Sequence, residues 1–156
     1  MALRPILRIG DPRLRLVAEA VREFDTPELH ALVADLIDTM KAASGAGLAA
    51  PQIGVSLRVV IFGFEQNERY PNAEPVPFTV LVNPTIEPLG DERVVGWEGC
   101  LSVPGMRGVV PRYRQISYTG FDQTMNAWRE QIVNWRCGLK PAEAARLRGK
   151  SGPWKC

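Results

Sequence analysis

Apolar residues recur with a helical period in the first third of the chain and with a strand period after Gly54. Leu29, Leu32, Val33, Leu36, Ile37 and Met40 follow one another at three- and four-residue spacings and make one apolar stripe. Thr26-Pro27 in front supplies a hydroxyl N-cap and a proline at the first helical position, and Ser44-Gly45 supplies a stop. A helix is predicted between them. Beyond Gly54, "LRVVIFGF" (57–64), "FTVLVN" (78–83), "ERVVGWEG" (92–99), "RGVV" (107–110) and "QISYTGF" (115–121) are short runs of β-branched and aromatic residues and read as strands. Asn83-Pro84 and Pro111 punctuate them, and "EQNERYPNAEPVP" reads as a polar surface loop. Farther on, "REQIVNW" has the pattern of a strand and "PAEAARLRG" that of two helical turns, neither with a wide apolar stripe. One helix followed by short mixed or antiparallel strands is an α+β pattern.

Composition narrows the function without choosing it. The 156 residues fit one domain, and 46% hydrophobic with 23% charged residues is ordinary for a soluble globular protein. A net charge of +2 makes no case for DNA, and no run approaches the ~18 apolar residues of a membrane span. "MALRPILRIGDPRL" lacks the apolar core of a signal peptide, and three widely spaced cysteines make no disulfide framework, so a reducing cytoplasm is expected. The charge is unevenly placed. Up to Thr124 there are 12 basic and 15 acidic residues; from Met125 onward there are 7 and 2, with three of the four tryptophans and two of the three cysteines. The reading divides the chain into a domain over residues 1–123 and a basic Trp/Cys/Arg-rich tail over 124–156.

Two stretches carry candidate chemistry. "SGAGLAAPQIG" (44–54) places glycines where the helix stops, either as a tight alanine-packed connection or to let a ligand approach the backbone, and Gln52 is its only neutral side-chain donor. It lacks the GK[ST] ending of a phosphate loop. In "GWEGCLSVPG" (96–105), Cys100 is an inert buried thiol, a nucleophile or one ligand of a metal site. A nucleophilic pair needs a histidine close by. The chain has one, His30, placed beside the helix stripe and read as a surface residue.

Together, "GAGLAAPQIG" and, some fifty residues later, "EGCLSVPG" resemble the peptide deformylase family; "ILRIGDPRLR", "NPTIEPLGDE" and "RGVVPRYRQISYTGFD" resemble it in order, over roughly residues 3 to 123. The resemblance implies a hydrolase that removes the formyl group from the N-terminal methionine of nascent polypeptides with a divalent metal, Fe(II) or Zn(II). It implies Cys100 as a thiolate ligand, with the Gln52 amide and the Leu101 backbone N–H stabilising an oxyanion. Gly45 and Gly47 would line the peptide channel, with Glu98 supporting the loop and Arg107 near the bound peptide. Such a metal makes hydroxide near neutral pH, and neutral donors hold the charge that then develops.

The chain departs from that pattern in one respect. The family's third motif, a helical HExxH with two histidine ligands and a glutamate base on one face, has no counterpart. In its place stands the tail, whose Arg, Trp, Cys and Gly bias is that of an out-of-frame reading of a GC-rich gene, a fusion or a gene-model error. Cys137 and Cys156 do not have the spacing of replacement ligands. The expected outcome is an inactive or severely impaired deformylase. The alternative is a non-catalytic protein that binds N-terminal peptides or the ribosome. Loss of the helix should also leave Val59, Ile61, Val80, Leu81 and Val94 without packing partners. At about 25 cal/mol per Å², that could cancel a stability of ~5–15 kcal/mol.

Overall fold

A computed structural model of the chain describes residues 2–66 and 75–133, the last six by backbone alone. The helix, α1, spans Pro27–Ala42 and is capped by the Thr26 hydroxyl, which accepts from the Leu29 N–H. Seven strands follow: β1 (Gly47–Ala49), β2 (Val59–Phe64), β3 (Val76–Pro88), β4 (Arg93–Cys100), β5 (Val103–Tyr113), β6 (Gln115–Phe121) and β7 (Ala127–Val133). β1, β2, β3, β6 and β7 form one antiparallel sheet in the order β1-β2-β3-β6-β7, and β4 with β5 forms a separate two-stranded hairpin. The α+β expectation holds. The strand expected at "REQIVNW" is present in β7 as far as Val133, whereas its last two residues and the helical turns expected at "PAEAARLRG" lie outside the described residues.

Strand alternation decides which side chains meet α1. Val59, Ile61 and Val82 pack with Leu29, Leu32, Val33, Leu36 and Met40 in the main core, and Leu36 and Ile61 are fully buried. Val60 and Phe62 pack instead with Leu81, Ile116 and Tyr118 in a second cluster. This corrects the expectation of unpartnered strand faces for Val59, Ile61, Val80 and Leu81. Val59, Ile61 and Leu81 are buried, and Val80 and Val94 are half-buried. The reason is topological. α1 crosses one face of β2 and β3 while β6 lies beside β3, and neither neighbour was predictable from local pattern.

Prolines also interrupt the strands less than expected. β3 runs through Asn83-Pro84, where its pairing with β6 shifts register between Val82 and Thr85. The bulge absorbs the missing proline N–H. Asn83 sits there at φ 50°, a left-handed conformation asparagine tolerates. Its side chain accepts from the Val21 N–H at 2.8 Å and donates to the Val21 carbonyl at 2.9 Å, tying the N-terminal segment to the sheet. Pro111 lies within β5, opposite Val95. A two-stranded hairpin has edges on both sides, so the lost donor faces no further strand.

Candidate active site around Cys100

The site forms where three chain segments converge. After α1, a tight turn at Ala43–Ser44 leads into β1, and the 3-10 turn Ala50–Ile53 carries Gln52. β4 ends at Cys100, where its register with β5 shifts and Cys100 pairs with Val103, leaving Leu101-Ser102 as the turn. The N-terminal segment closes the arrangement. Leu7 N–H donates to the Gln52 carbonyl and Ile9 N–H to the Ser102 carbonyl, each at 2.8 Å. One extended stretch thus fixes the Gln52 turn relative to the Cys100 turn.

Gln52 is held at both ends of its amide. Its Oε1 accepts from the Ala49 N–H at 2.9 Å, which assigns the oxygen and leaves Nε2 to point across the site. Nε2 donates to the Ser102 hydroxyl at 3.1 Å and lies 3.6 Å from the Cys100 Sγ. Ser102 N–H donates to the same sulfur at 3.4 Å. The sulfur therefore faces neutral donors, a setting that favours a thiolate or a neighbouring oxygen with developing negative charge. Ser102 is buried and was missed by sequence reading. The signal was its place two residues after Cys100, where a tight turn returns the hydroxyl to the strand end.

Of the residues expected at the site, Gly45, Gln52, Cys100 and Leu101 come together. A Cβ on Gly45 would lie 2.8 Å from Leu101 Cδ1 and 3.2 Å from Met40 Cγ, so only glycine passes here without displacing Leu101. Gly47 pairs with Phe62 across β1 and β2, and a Cβ there would press on the Ile61 carbonyl at 3.2 Å. Glu98 is drawn into the hairpin. Its carboxylate, 10% exposed, takes two hydrogen bonds from Arg112, at 2.9 and 2.7 Å. Arg112 is the second residue sequence reading missed, because its partner is fourteen positions away and meets it only through the β4–β5 register. Arg107 is exposed and stands opposite Gly99, beside the end of β4.

Among the described residues the donor set does not fit a catalytic metal ion. Such an ion takes about three protein ligands. Among the described residues no three His, Cys, Asp or Glu side chains stand together. His30 is exposed on the first turn of α1, with its Nε2 2.7 Å from Asp25 Oδ1. Beside Cys100 the near groups are an amide nitrogen, a hydroxyl and a backbone N–H, and of these only the hydroxyl oxygen could ligate, weakly. Cys137 and Cys156 lie outside the described residues. No described helix is long and apolar enough to cross a membrane.

Comparison with known proteins gives the family. The polypeptide deformylase family model matches residues 3–139, beyond Gln123, where the composition changes. Peptide deformylase 2 of Ralstonia nicotianae is 68% identical over 147 residues, covering 94% of this chain and 83% of the relative. Peptide deformylase 1 of Bordetella pertussis is 63% identical over 151 residues, covering 97% and 86%. Among solved structures, the Met-Ala-Ser-bound class I type b peptide deformylase of Acinetobacter baumannii superposes with a TM-score of 0.81 at 32% identity over 87% of each chain. With the family match over residues 3–139, these identities and the shared fold, the chain belongs to the peptide deformylase family.

Proposed function

We propose that this chain keeps the peptide-facing half of a deformylase site and lacks most of the metal-binding half, so that deformylation of N-formyl-methionyl nascent chains is severely impaired or absent. The supporting observation is the ligand inventory: one histidine in the chain, bonded to Asp25 on an exposed helix turn, and no described cluster of three ligating side chains. In this reading Cys100 is the one inherited ligand for Fe(II) or Zn(II). The Gln52 amide and the Leu101 N–H are the oxyanion donors. Gly45 and Gly47 shape the channel, Glu98 supports the Cys100 loop through Arg112, and Arg107 meets the peptide. The protein acts in the cytoplasm.

We read residues 1–123 as the deformylase-like domain and 124–156 as a divergent basic tail, although the family match itself runs on to residue 139 and β7 pairs with β6 across that boundary. If the tail is a frameshift product, the DNA after the Gln123 codon encodes an HExxH helix in another frame. The absence of one there would remove that explanation.

The test is deformylation of formyl-Met-Ala-Ser, with iron and zinc measured in the same sample. Turnover that a chelator abolishes would overturn the proposal. A second reading, a non-catalytic binder of N-terminal peptides or the ribosome, is favoured by the closely fitted Gly45–Leu101 contact, which a site free of function would have no need to keep. Peptide or ribosome binding in metal-free protein distinguishes it.

A further inference from the structure

The β4–β5 hairpin has an outer face that the site touches only at its Arg107 end, opposite Gly99. Register puts Arg93, Val95 and Trp97 of β4 on the same side as Val109, Pro111 and Tyr113 of β5. Val95 is 60% exposed, Trp97 62% and Val109 54%, and Pro111 is exposed beside them. Their combined apolar surface is on the order of 300 Å², a patch size that in monomers is often functional. The opposite face of the hairpin is occupied by the Glu98–Arg112 pair and by Val94 and Val110, both half-buried.

Charge at this face is of one sign. The neighbouring cations are matched, Arg112 with Glu98 and Arg114 with Glu92. Arg93 instead lies 4.5 Å over the Tyr113 ring and donates to its hydroxyl at 2.9 Å, with no carboxylate opposite. No Asp or Glu shares the face with Val95, Trp97, Val109 and Pro111.

We propose that this face docks a short segment of another protein that presents apolar side chains beside a carboxylate, the apolar groups over Val95, Trp97 and Val109 and the carboxylate at Arg93. A second copy of this chain fits poorly. Two such patches would bury far less than the roughly 1,200–2,000 Å² of a stable interface, and each would bring Arg93 without a carboxylate to meet it. The chain's own tail is also unsuited by charge, with seven basic and two acidic residues from Met125 onward.

The probe is a short labelled peptide of alternating leucine and glutamate, followed by fluorescence anisotropy, with a leucine–lysine peptide as control. Wild-type protein is expected to bind the acidic peptide and ignore the basic one. Trp97→Ser should weaken binding about tenfold or more. Arg93→Gln should weaken it less and flatten its dependence on salt. Both positions are on the surface, so circular dichroism should be unchanged. The proposal is overturned if wild-type protein does not bind, if the two peptides bind equally, or if Trp97→Ser binds as wild type does. It is also overturned if the face instead serves a concentration-dependent dimer or anionic phosphatidylserine vesicles, either being lost in Trp97→Ser.

Discussion

Metal linkage to stability gives the sharpest test of the proposed function, because it needs no turnover. Consider adding Zn(II) or Co(II) to chelator-treated protein and following thermal unfolding. A ligand that binds only the folded state stabilises it by RT ln(1 + [L]/Kd). A complete three-ligand site, with metal present at about a thousand times its Kd, would gain about 4 kcal/mol. For a chain of this size that is a rise in Tm of about 8–16 °C. Among the described residues the site offers the Cys100 sulfur beside an amide and a hydroxyl, and no group of three His, Cys, Asp or Glu side chains that could hold an ion. With a Kd on the order of millimolar and metal tenfold below it, the gain is under about 0.1 kcal/mol, less than about half a degree. A flat melt is therefore expected with and without metal, and Cys100→Ser should match wild type in both conditions. A metal-dependent rise of 8 °C or more would refute the reasoning. If Cys100→Ser removed that rise, ligands outside the described residues would complete the site. If the rise survived, the ion would sit elsewhere.

Three further outcomes follow from the geometry. Asn83→Ala loses both hydrogen bonds to the Val21 backbone and forces a Cβ residue to stay at φ 50°, which should cost about 3 kcal/mol in urea unfolding; Asn83→Gly should cost about 1 kcal/mol less, and equal losses would remove the backbone part of the account. Gly45→Ala should destabilise by about 1–2 kcal/mol through the 2.8 Å clash with Leu101 Cδ1, and Leu101→Val should relieve part of it; strictly additive losses would contradict the contact. The hydrogen bond from Arg4, and then that from the Ala2 N–H, holds the Asp35 carboxyl below its ordinary 3.8, so this group stabilises the fold above the unfolded carboxylate range and the contribution disappears as pH falls through the depressed value. Asp35→Asn should flatten the acid limb of the urea midpoint against pH, and parallel curves would refute the assignment.

What could be read from the sequence was what local rules determine. The hydroxyl and proline at Thr26-Pro27 and the Leu29–Met40 stripe specify α1 without outside help, and the observed helix keeps that start and that buried face. Strand interiors were equally legible, down to the limits of β6 at Gln115 and Phe121. The errors cluster where register decides. Asn83-Pro84 reads as a break but is a bulge inside β3, because whether proline ends a strand depends on which partner needs its missing donor. Glu98 reads as a residue of the Cys100 loop, and its tie to Arg112 exists only once β4 and β5 align. Ser102 was adjacent to the motif and still overlooked, since its hydroxyl matters only because Gln52 arrives from fifty residues upstream.

On the proposed function, family membership and catalytic competence separate in this chain for a reason rooted in how each accumulates. Identity is a sum over positions. At 68% over 147 residues, a few lost ligands hardly change it. Fold is nearly as tolerant, because α1 and the strands bury Leu36, Ile61 and Leu81 without any contribution from an HExxH helix. Coordination is closer to a product. Each ligand removed from a three-donor site costs a large factor in affinity, and Cys100 alone cannot make up for two histidines. The Gln52–Ser102–Cys100 cluster is held by backbone bonds from Leu7 and Ile9, which would hold it with or without an ion. A Gln52 amide still held against Cys100 is thus the remnant that the proposed function expects where metal ligands are lost.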